Sequence, residues 1–89
     1  MSRLNTALHN DIQALKLVRD ELLLQSKLLA AEARDQWSKL EADWDLLKEH
    51  LCRAQTAADS ALPEIEAAAS QLSESLKRGY AEIRRALKR

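Results

Sequence analysis

From Ala33 onward the apolar side chains Ala33, Trp37, Leu40, Trp44, Leu47, Leu51, Ala54 and Ala58 are separated by 4, 3, 4, 3, 4, 3 and 4 residues. A spacing that averages 3.5 residues keeps one apolar seam on one side of an α-helix, the signature of coiled-coil packing. A second series, Leu62, Ile65, Ala69, Leu72, Leu76, Tyr80, Ile83 and Leu87, keeps the pattern except for a 4–4 step around Leu76 and Tyr80, where Gly79 takes the expected seam position. The 89 residues include one Gly, one Pro and no Phe, while Leu, Ala, Glu, Lys, Arg and Gln dominate. The fold class is all-α, in one helical domain spanning 1–89.

Between the two series lies Asp59-Ser60-Ala61-Leu62-Pro63. Asp59 or Ser60 suits an N-cap, Pro63 falls in a first helical turn, and Glu64 and Glu66 suit the positive end of a helix. If the chain reverses there, the helices pair antiparallel and facing residue numbers sum to about 120. Trp37 then meets Ile83, Leu40 meets Tyr80 and Trp44 meets Leu76, which form the hairpin seam of residues 31–88. The same register lays Lys77, Arg78, Arg84, Arg85, Lys88 and Arg89 beside Glu32, Asp35, Glu41 and Asp43. Exposed pairs of this kind contribute about 0–1 kcal/mol each, enough to select a register but not to hold a fold.

The first third carries Leu4, Leu8, Ile12, Leu15, Val18, Leu22 and Leu29 near one face, and no Gly or Pro interrupts Asp11 to Ala58. The simplest expectation is an antiparallel helical hairpin, with a long helix over about 4–58 and a second over about 61–88. Residues 1–30 would overhang as an association segment. Leu8, Leu15, Val18, Leu22 and Leu29 then form an interface that meets a symmetry mate in a homodimer, or receives a partner helix. The alternative is a three-helix bundle with a bend near 30–31.

Little in the chain suggests chemistry. The 14 basic and 14 acidic side chains cancel, so no global field recruits nucleic acid or anionic lipid. Cys52 is the only cysteine, which rules out an intramolecular disulfide framework, and beside Leu51 it reads as a small filler. His9 and His50 are too far apart for an HExxH pair, and His50 and Cys52 point in different directions on a helix. The carboxylates of residues 35–49 interleave with Lys39, Lys48 and Arg53 at helical spacings, as on a solvated face. Trp37 and Trp44 could present an aromatic face to a ligand, but their seam spacing favours two bulky packing layers. No catalytic residue, metal or cofactor is expected. The N-terminal MSRLNTALHND lacks the apolar stretch of a secretory signal, and Leu22-Leu23-Leu24 is too short to span a bilayer. A soluble, cytoplasmic setting is the simplest expectation.

The stretches EARDQWSKLEADWDLLK (32–48) and LKRGYAEIRRAL (76–87) resemble small bacterial coiled-coil and helical-hairpin proteins of uncharacterised role. These share a leucine-rich helix, then ARDxWxxLExxW, then a Gly-Tyr-x-x-Ile-Arg tail. The resemblance implies a bacterial, helical, non-catalytic protein and transfers no ligand residues. The expected function is therefore structural or protein-interacting, acting by helix–helix association. The alternative is a peripheral amphipathic-helix protein on a membrane or granule surface, using the leucine-rich face and the basic tail. Nucleic-acid binding by residues 77–89 is the weakest of the three, because the acidic strip is placed to neutralise that stretch.

Overall fold

In a computed structural model, which describes residues 4–88, the chain forms three α-helices. They are α1 (Thr6–Gln25), α2 (Ala31–Thr56) and α3 (Leu62–Leu87), joined by single 3-10 turns at Ser26–Leu28 and Asp59–Ala61. The bundle measures 46 × 19 × 17 Å over its Cα atoms, about the length of one 26-residue helix and two helix diameters across. Met1, Ser2, Arg3 and Arg89 lie outside the described residues, so the part of the basic stretch that falls on Arg89 is not addressed.

The long helix over 4–58 is not formed: it breaks between α1 and α2, and the bend falls at the place the three-helix alternative assigns to it. Leu29 (ψ 143°) and Ala30 (ψ 163°) are extended, which turns the chain back on itself. Energetics explain why a sequence without Gly or Pro bends here. A break forfeits about four helical hydrogen bonds, worth ~0.5–1.5 kcal/mol each. Folding back buries Leu8, Ile12, Leu15, Leu22 and Leu29, each worth ~1.5–3 kcal/mol. Burial wins. The turn also recovers part of the loss, because the Ser26 hydroxyl donates to the Leu23 carbonyl (2.8 Å) and the Leu29 amide to the Ser26 carbonyl (3.2 Å). At the other end, Asn5 caps α1 by accepting the Leu8 amide at 2.8 Å.

The second break falls in the expected segment, with Pro63 in the first turn of α3 and Glu64 beside it. The expected cap does not. The residue preceding α3 is Ala61, which makes no side-chain cap, because Asp59 and Ser60 belong to the 3-10 turn instead.

α3 is the central helix, packed against both α1 and α2. Its buried set of Ile65, Ala69, Ser73, Leu76, Gly79, Tyr80 and Ile83 is accordingly wider than a two-helix seam needs. Against α2, the Trp37 and Tyr80 rings lie 5.9 Å apart and tilted by 41°. Gly79 faces the Leu40 side chain so closely that a Cβ there would collide with it. The Gln36 amide donates to Glu82. These facing residues sum to 117–119, so the antiparallel hairpin forms within one turn of the expected register. α1 runs parallel to α3, with Asn5 beside Glu66, Asp11 beside Lys77 and Glu21 beside Arg84.

Candidate interaction surface

All six seam residues, Trp37, Leu40, Trp44, Leu76, Tyr80 and Ile83, are buried between the helices. They are packing layers, and the Trp37–Trp44 pair presents no aromatic face to solvent. The expected interface residues are placed otherwise. Leu8, Leu15, Leu22 and Leu29 are buried within their own chain, and Val18 is half-buried against the same core. The physical reason is the bend: once α1 folds back, α3 supplies the cover that a second copy would have given. As folded, that stripe is not an available docking face.

The charges also pair differently from the expected strip. Lys77 Nζ reaches Asp11 (3.2 Å) and Glu74 (3.4 Å), and Arg84 Nη2 reaches Glu21 (3.5 Å). The hydrogen bond to Asp11 leads the causes that raise the Lys77 pKa above its usual value. Thus Lys77 and Arg84 meet α1, which the hairpin register alone had no means of placing there. Glu41, expected opposite the basic stretch, is taken by Arg19. The Arg19 guanidinium donates from Nε (2.9 Å) and Nη2 (2.7 Å) to the two Glu41 oxygens and lies 6.0 Å from the centre of the Trp44 ring. The fork geometry and the aromatic floor fix α1 against α2 through a single side chain. The hydrogen bond to Glu41 raises the Arg19 pKa further, so it is always charged.

The Tyr80 hydroxyl beneath this pair is buried and has no hydrogen-bond partner. Burial first, and then the Glu41 carboxylate, push its pKa well above the usual phenol value. A cleft of about 150 Å³ between α1 and α3 is lined by Leu15, Val18, Lys77, Tyr80, Ala81 and Arg84. Both of its cations already face carboxylates, and the Tyr80 hydroxyl at its wall is buried.

Cys52 is exposed and does not fill the seam, because it sits one position off the buried stripe. His50 is half-buried, with Nδ1 unpaired. Among the described residues, no group of three His, Cys, Asp or Glu side chains could hold a metal ion, and no helix is long and apolar enough to cross a membrane.

The surface feature that the sequence alone does not separate from the buried stripe is the outer face of α1. Leu17 and Leu24, seven residues apart and opposite the buried stripe, are 72% and 84% exposed, and Leu28 in the following turn is 80% exposed. Leu22, Leu23 and Leu24, then Leu28 and Leu29, make the apolar stripe of the sequence wider than one seam needs, and only the fold separates its inward leucines from its outward ones. No family profile, curated protein or solved structure matches the chain, so the resemblance to small bacterial helical proteins stands on its own residues.

Proposed function

We propose that this protein is a non-catalytic structural or interaction protein that acts by helix–helix association. The observation that carries this reading is the double-faced apolar character of α1. Its inward leucines complete the bundle, while Leu17 and Leu24 line its solvent side and Leu28 extends that side into the following turn, at an exposure that scattered surface leucines rarely reach together. Two turns of leucine spacing fit the apolar face of another amphipathic helix, including α1 of a second copy. Nothing in the cleft or among the carboxylates competes with this reading as a seat of chemistry.

The test is sedimentation of the full chain and of L17Q/L24Q/L28Q from micromolar to millimolar concentration. Glutamine keeps helix propensity, so the variant should fold equally well. Self-association that the variant weakens at least tenfold supports the reading. A chain that stays monomeric throughout refutes it. The alternative, an amphipathic helix lying on a membrane or granule surface, is favoured by the exposed Lys16 and Lys27 beside the same leucines. Binding to anionic phosphatidylglycerol vesicles that the same variant abolishes would establish that alternative in its place.

A further inference from the structure

We propose that two copies of this chain dimerise by exchanging α1, with Ser26–Ala30 straightening so that α1 and α2 become one helix from Thr6 to Thr56. The inference rests on the association reading and names the partner as a second copy.

The first support is helical phase. The core residues Leu8, Ile12, Leu15, Leu22, Leu29, Trp37, Leu40, Trp44 and Leu47, together with the half-buried Ala33, are separated in chain order by 4, 3, 7, 7, 4, 4, 3, 4 and 3 residues. The near-3.5 period runs straight through the turn. A turn fixes no phase between the helices it joins, so this continuity is not required by the closed bundle. It is required by a single straight helix with one apolar face.

The second support is the turn itself. It contains no Gly or Pro, and no described residue has a positive φ. Only Leu29 and Ala30 leave the helical region, and both are good helix formers. Ala30, the residue before α2, makes no side-chain cap, so straightening sacrifices none and gives partners to amides at the start of α2. The other turn cannot open in this way. Fusing α2 to α3 would place Pro63 inside a helix, where it lacks an amide hydrogen and collides with the carbonyl of Asp59.

The third support is that α1 is held by contacts that a second copy reproduces one for one. These are the leucine stripe on α3, the Arg19–Glu41 fork, and the Asp11–Lys77 and Glu21–Arg84 pairs. Exchange therefore trades like for like, and protein concentration sets the balance between closed monomer and exchanged dimer.

Distance within one chain distinguishes the two states. Thr6 and Cys52 are both exposed and lie at the same end of the closed bundle, whose cross-section is 19 × 17 Å. On a fused helix they stand about 69 Å apart at ~1.5 Å per residue. Thr6→Cys supplies a second thiol, so that a donor and an acceptor dye can be placed on it and on the natural Cys52. The labelled chain is diluted into excess unlabelled chain, refolded at high concentration and separated by size. The expected dimer fraction has almost no energy transfer, while the monomer fraction has high transfer. Ala30→Pro should lower the dimer yield at least tenfold without loss of helicity. Proline fits φ −67° at position 30 after an extended residue, but it cannot sit inside the fused helix. Ala31→Pro, at the first position of α2, should act in the same way. A dimer that keeps high transfer and disappears in L17Q/L24Q/L28Q would overturn exchange and leave association through the outer face standing. A monomer at every concentration would overturn both.

Discussion

Tyr80→Phe should stabilise the bundle. The ring is 2% exposed and rests on Trp37, so its packing is retained on substitution. What is lost is a hydroxyl that has left water and gained no partner. An unpaired buried hydroxyl costs about 1–3 kcal/mol, and the small void left by one oxygen returns a fraction of that. The net expectation is a gain of about 1 kcal/mol, or roughly 4–8 °C in Tm for a domain of this size. Urea denaturation followed at 222 nm measures it, and an unchanged m-value would confirm that the same surface unfolds. The pH dependence supplies a second check. Because the folded pKa is raised, the wild type is unaffected by this group below about pH 10, the ordinary phenol value. Above it the unfolded chain releases the proton while the fold retains it, so stability falls with rising pH, by up to about 1.4 kcal/mol per unit. Tyr80→Phe removes that component of the alkaline loss. A variant at least 1 kcal/mol less stable than wild type would mean that the hydroxyl is hydrogen-bonded after all, and the reasoning would fail.

Trp44→Ala empties a buried layer and removes the floor beneath Arg19, so it should cost about 3–5 kcal/mol by the same urea assay. Lys48→Ala on the exposed face should stay within about 0.5 kcal/mol, and equal costs at the two positions would refute the seam. A double-mutant cycle of Arg19→Met and Glu41→Gln should give a coupling of about 1 kcal/mol, above the usual surface pair because both side chains are largely covered. A coupling near zero would mean that the fork does not hold α1 to α2. The three α-helices of 20, 26 and 26 residues predict circular dichroism of at least roughly three-quarters helix in plain buffer, and a value below half would argue against a preformed bundle.

What the sequence made legible follows from what periodicity measures. A 3.5-residue repeat reports which residues share a face, so the α2 and α3 seams and the layers at Trp37, Trp44 and Tyr80 could be read directly. Pro63 reports a break whatever surrounds it, so the second turn was placed to within a few residues. The first turn carries no such residue. Leu29 and Ala30 would be content in a helix, and only the fold-back burial of Leu8, Leu15 and Leu22 against α3 pulls them out of it. That term is tertiary, and local propensity cannot register it. The surface followed the same logic. If residues 1–30 form an overhang, the inward leucines make the interface, and the outward Leu17 and Leu24 cannot be told apart from them by sequence. The ion pairs erred with it, since Lys77 and Arg84 chose carboxylates on a helix that a hairpin leaves out of reach. The expectation of one long helix and the observed bend thus draw on the same residues. A stripe that stays in phase from Leu8 to Leu47 supports both arrangements, and two extended residues decide between them. A bundle whose topology hangs on so small a conformational difference is one in which concentration, or a single proline, should select the form.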